Sequence, residues 1–359
     1  MARNTARRMV VGAHTCALLS VCTVPVPALA YTEYDLWVGS DRVTSVNQKD
    51  VRGDGTIRFD PTTSTLHFNG VNLKDRYDRT DETLNNSFVI YSKLKDTSIN
   101  VQGTNQLILE PKSSAELAAG IMHEGDGTLS FVGDGSLSIS TENPELTNVG
   151  RHGISSYGKT IFTGPEVSIQ PGLDQAGWGL GVNTLNGMET AQGVVNIHTT
   201  RSGFGIGASN GPVIFTGGVV NIKAEFNESD LFATAVGVNA AEITLGRAVV
   251  TVEADAKAFS NDVKNEGTGT LLVNTEPSED GAMPWDQLVP LGGGNAEWKF
   301  VKFTPHQPLT TVPHETKNPP SPAEERRENS GILVFMLLGG IACVLAIFAL
   351  LLRGGRRTH

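Results

Sequence analysis

Five short polar residues recur at one place in five similar segments. Ser138, Ser168, Asn196, Asn221 and Thr251 each stand between two aliphatic residues, in Leu137-Ser138-Ile139, Val167-Ser168-Ile169, Val195-Asn196-Ile197, Val220-Asn221-Ile222 and Val250-Thr251-Val252. The steps between them are 30, 28, 25 and 30 residues. Two positions further on, Ser140, Gln170, His198, Lys223 and Glu253 repeat the arrangement. Hydroxyl and amide groups both donate and accept hydrogen bonds. Held at a fixed interval on one face, they suit a ligand rich in hydroxyl groups, such as an extended sugar chain. The same groups could equally satisfy one another on a solvated face.

The residues for bond-breaking chemistry are less well assembled. Glycoside hydrolysis needs two carboxyl groups across the scissile bond, yet the chain has no Asp-Asp pair and no Asn-Thr-Asp triplet. A polysaccharide lyase needs a strong base beside calcium-binding aspartates. Arg151, Arg201, Lys223 and Arg247 fall at different places in their segments and meet no acidic cluster. Gly-Asp-Gly occurs around Asp54, Asp126 and Asp134. Calcium, the one cofactor in view, demands several oxygen ligands at once, and an aspartate between glycines is the composition of a turn. The sequence therefore points away from an enzyme.

The elements that would position these residues are short strands. From Phe88 each unit holds three apolar-polar-apolar runs rich in Val, Ile and Thr, separated by Gly, Asn and Asp, with no helical spacing. A period of this size marks a solenoid. Three strands per turn, each stacked on its counterpart, predict an all-β, right-handed parallel β-helix of about seven rungs over residues 88–275. Corner glycines are expected at Gly133, Gly164, Gly217 and Gly246. Trp178 and Phe204 occupy one rung position. Exposed, Trp178 would stack on sugar rings; by parity with Leu180 and Ile206, both aromatics belong to an interior ladder. The opposite parity gives Gly179, Gly181, Gly205 and Gly207, a strip open to close approach by a ligand or another backbone.

Flanking segments complete the layout. Residues 1–30 read as a secretory leader, with arginines, an apolar run and Ala28-Leu29-Ala30. Residues 31–87 are a less regular N-terminal β cap, including a hairpin around Pro61. Residues 276–304 break the period, and Trp285, Trp298 and Phe300 suit a plug at the far end. Residues 305–330 form a proline-rich linker. Residues 331–352 carry no charge and are long enough to cross a bilayer. The arginines of the tail, 353–359, place it in the cytoplasm. The expected product is a single-pass membrane protein with its body outside the cell. The three cysteines lie at 16, 22 and 343, so the body has neither disulfides nor a thiolate metal site. The net charge is −10, and setting aside the six arginines of leader and tail leaves −16 for the rest. So acidic a body disfavours nucleic acid as a partner.

The opening Tyr34-Asp35-Leu36-Trp37-Val38-Gly39, with Val43-Thr44-Ser45, Gly53-Asp54-Gly55-Thr56 and the Pro61 hairpin, resembles a group of secreted, repeat-containing bacterial proteins described as carbohydrate-binding domain proteins. The resemblance spans Tyr31 to about Pro305. It implies a parallel β-helix on the cell surface that binds extracellular polysaccharide, pectin-like chains and calcium being associated with some members. His152-Gly153-Ile154-Ser155 also looks like a stretch of polygalacturonases, but their aspartates and Arg-Ile-Lys triplet are missing, and Gly153-Ile154 reads equally as a rung strand. A non-catalytic glycan-binding surface protein is the first expectation. A structural or adhesive surface protein and a calcium-dependent polysaccharide lyase are the alternatives.

Overall fold

The computed structural model describes residues 31–307, apart from 81–84, 112–116, 142–149, 173–178, 201–202, 227–234, 287–288 and 293–296. Every described element is a strand, and the centre is a β-solenoid of about five turns. Its first face stacks Asn85–Ser92, Leu117–His123, Gly150–Ser156, Gly179–Thr184, Phe204–Ala208, Val236–Ala240 and Lys257–Phe259 in parallel. The third face stacks Thr104–Leu109, Ser136–Thr141, the second halves of Lys159–Gln170 and Met188–Thr199, Val219–Ala224 and Val249–Ala254. The second face runs between them, from Thr97–Gln102 to Val263–Asn265.

Period-two alternation explains the third face. Leu137, Ile139, Val167, Ile169, Val195, Ile197, Val220, Ile222, Val250 and Val252 point inward, and none is more than 2 % exposed. The second face adds an interior ladder of Ile99, Phe131, Phe162, Thr190, Phe215 and Leu245. Within it the Phe131 and Phe162 rings stack at 4.9 Å between centroids. This is the interior aromatic ladder of the fold. Phe204, expected to form one, is half-buried and lies outside the continuous core. Trp178 lies outside the described residues.

Several corners between the second and third faces use a glycine at positive φ, although the corner at Gly246 does not. Gly133 (107°), Gly164 (128°), Gly193 (85°) and Gly218 (81°) supply it. The residue that turns the corner in the 213–224 unit is therefore Gly218 and not Gly217.

The two ends differ from the expected regular stack. At the N-terminal end, the hairpin Ile57–Asp60 and Thr65–Asn69 adds a layer parallel to Thr97–Gln102, while Glu33–Val38 pairs antiparallel with Asn85–Ser92. At the C-terminal end, Lys257–Phe259 and Val263–Asn265 continue the first and second faces. The third position of that turn is taken by Phe300–Pro305, which pairs antiparallel with Val249–Ala254 and with Gly269–Asn274. The solenoid has about five turns, fewer than the seven rungs expected. Trp285 and Trp298 pack against the core, their indole N–H groups donating to the carbonyls of Val289 (2.7 Å) and Pro290 (3.0 Å). Among the described residues no helix is long and apolar enough to cross a membrane, and 331–352 lies outside them.

The glycine strip also turns out differently. Gly120, Gly153, Gly181, Gly205 and Gly237 face the interior. A Cβ on Gly153 would stand 2.0 Å from Ile169 Cγ2, and one on Gly181 2.2 Å from Ile197 Cγ2. The first-face backbone rests directly on the methyl groups of the third face, so Gly181 and Gly205 offer nothing to a ligand. Gly153→Ala should therefore destabilise the protein by roughly 1–3 kcal/mol through overpacking. Gly207→Ala, whose nearest neighbour would lie at 3.6 Å, should be tolerated. Thermal unfolding of the two variants checks this, and equal midpoints would contradict the interior placement.

Polar residues inside the solenoid impose a pH dependence. His123 is fully buried, its ring nitrogens bonded to Ser156 Oγ (3.1 Å) and the Leu94 carbonyl (3.0 Å), and burial lowers its pKa. Burial also pushes His152 down to about 4. The unfolded chain, with histidines near 6.5, then binds more protons than the folded one below that pH. Stability should be level near neutrality and fall as pH drops from about 6.5 towards 4. A melting profile across that range tests it, and a flat profile would contradict it.

Candidate functional site

The alternation that buries Val and Ile on the third face turns the intervening residues outward. Ser138 aligns with Ser168, Ser168 with Asn196, Asn196 with Asn221, and Asn221 with Thr251. The five residues form a continuous column across the turns. Asn221 Nδ2 donates to Asn196 Oδ1 at 2.9 Å, and Asn196 Nδ2 lies 3.4 Å from Ser168 Oγ. Two residues along each strand, Ser140 aligns with Gln170, His198 with Lys223, and Lys223 with Glu253. An open depression of ≈350 Å³ lies over both columns. Its lining includes Ser138, Ser168, Asn196, His198, Asn221 and Thr251, together with Gln170, Lys223 and Glu253.

A charged cluster occupies one flank. Lys223 Nζ and His198 Nε2 each lie 2.7 Å from an oxygen of Glu225, one on Oε1 and the other on Oε2. Burial alone would raise the Glu225 pKa, but the hydrogen bonds from Lys223 and His198 outweigh it and lower it. The same bond to Glu225, reinforced by Glu253 and Asp255, raises the pKa of Lys223. Opposite the cluster is an apolar column. Val194, Val219 and Val249 align with one another, each two residues before the Asn or Thr of its strand and each half-buried.

Of the residues singled out in the sequence, the structure thus brings Ser138, Ser168, Asn196, Asn221, Thr251 and His198 together; Trp178 falls outside the described residues. Glu225 joins this group, although it was not among the residues singled out. Its signal lay in the same alternation, since it follows Lys223 by two residues. Elsewhere, Asp54 behaves as a turn residue, its Oδ1 accepting from Thr56 N (2.9 Å) and Thr56 Oγ1 (2.7 Å). Among the described residues no three His, Cys, Asp or Glu side chains converge to hold a metal. His152 is buried in the first face, aligned between Ala119 and Leu180.

What the depression can do is form hydrogen bonds along a line. It offers amide and hydroxyl groups in series, an apolar border on one side and a compact ion cluster on the other. Comparison with protein-family models, with characterised proteins and with solved structures finds no match for this chain.

Proposed function

We propose that this is a membrane-anchored, extracellular, non-catalytic polysaccharide-binding protein whose ligand lies on the third solenoid face. The observation that carries the reading is the coincidence of two polar columns, in register over successive turns, with one open depression. A repeating polymer is the natural ligand for a repeating surface. The opening motif that resembles carbohydrate-binding surface proteins supports the same reading. The proposed layout has a leader over 1–30, a right-handed body, a spacer over 305–330, a membrane helix over 331–352 and a short cytoplasmic tail.

The direct test applies the full-length protein, solubilised in detergent, to a glycan array, and follows captured glycans over time. Binding without loss of substrate is expected. Replacing both column residues, Asn196→Ala with Asn221→Ala, removes hydrogen bonds worth about 0.5–1.5 kcal/mol each and should weaken binding roughly 10- to 100-fold. The fold should survive, since both residues lie on the surface. Unchanged affinity in the double variant would move the site elsewhere. Adhesion that persists in the presence of glycan competitors would favour a structural or adhesive role, and unsaturated sugar products would favour a lyase.

A further inference from the structure

We infer that the third face takes an uncharged polysaccharide laid along the stacked turns, and that it turns away polyuronates. The inference rests on the glycan-binding reading above and deepens it. A uronate carboxylate is held most strongly by a cation free to meet it. Among the described residues that line the depression, the basic side chains are Lys223 and His198, and neither is free. Lys223 Nζ and His198 Nε2 both engage the single carboxylate of Glu225 at 2.7 Å. Lys302, aligned with Thr251 on the adjoining strand, has its Nζ 2.6 Å from Glu279 Oε1.

Acidic groups are left over. Glu253 lines the depression one turn beyond Lys223, and Asp255 accepts a hydrogen bond from Phe226 N–H at 2.8 Å. On this flank the one lysine, Lys223, stands against three carboxylates, Glu225, Glu253 and Asp255. The acidic body adds to the repulsion. A polyanion would meet like charge where the chain passes Glu225, Glu253 and Asp255, whereas neutral hydroxyl groups would meet the Ser, Asn and Thr column.

Direction and length follow from the register. The column Ser138 to Thr251 crosses four strand-to-strand steps, or roughly 19 Å at about 4.8 Å per step. That length holds several sugar rings in a row. The half-buried Val194, Val219 and Val249 run beside it and offer an apolar surface to the C–H faces of those rings.

The test compares full-length protein in detergent with two classes of probe at low ionic strength. One is a length series of uncharged linear β-1,3- and β-1,4-glucan oligosaccharides; the other is polygalacturonate, with and without calcium. Uncharged chains should bind with affinity that rises with length and changes little with added salt. Polygalacturonate should bind at least about tenfold more weakly, and Glu253→Gln should narrow the difference. Polygalacturonate bound as tightly as any uncharged chain, whether or not calcium is needed, overturns the inference but leaves glycan binding standing. If that binding is lost in Lys223→Ala, the cation is the recognition element after all. Failure of every probe of both classes removes the glycan-binding reading and this inference together.

Discussion

A backbone pressed against methyl groups sets the width of this solenoid. On the first face Gly120, Gly153, Gly181, Gly205 and Gly237 form a column without side chains, and Ile139, Ile169, Ile197, Ile222 and Val252 of the third face occupy the space that their Cβ atoms would take. Close packing of this kind leaves no slack for a strand to rotate. If the third strand turned by one residue, its aliphatic side chains would go to solvent and its polar ones into the core. The orientation of the third face is therefore fixed from inside, turn after turn.

The outer surface inherits that order. Because every third strand is held the same way, the residues between the buried aliphatics fall into straight rows: apolar Val194, Val219 and Val249; amide and hydroxyl from Ser138 to Thr251; and the titratable His198, Lys223 and Glu253. Such a surface is preorganised by the core and not by its own contacts. The ladder bond from Asn221 to Asn196 is a modest surface interaction, whereas the packing beneath it is extensive. Residues here can vary in chemistry while their spacing stays constant, which is the arrangement a recurring ligand requires.

How much of this was legible in the sequence depended on whether alternation held. The third strands alternate without interruption, so their columns, and six of the seven proposed site residues, could be placed by counting. The first strands break alternation at the glycine: Gly205 and the following Ile206 both lie on the core side. Parity counted across that break put Phe204 inside and Gly181 and Gly205 outside, the reverse of their places. The C-terminal end misled for another reason. Gly269–Asn274 has the composition of a further third strand, but the distant Phe300–Pro305 inserts antiparallel ahead of it. No local pattern announces a pairing over that separation. Glu225 was not singled out, although its spacing of two residues from Lys223 is visible in the sequence.

The central claim is that the third strands stack parallel and in register, with equal positions side by side. Cysteine pairs in the full-length protein test it most directly, because residues 31–307 contain no cysteine of their own and Cys16, Cys22 and Cys343 lie outside them. Asn196→Cys with Asn221→Cys places two thiols on neighbouring turns at about 4.8 Å between strands, within the 4.4–6.8 Å that a disulfide spans. Asn196→Cys with Lys223→Cys is offset by two residues and lies beyond about 7 Å. The account predicts ready oxidation of the first pair and little of the second. Equal cross-linking of both pairs, or of the second alone, would contradict it.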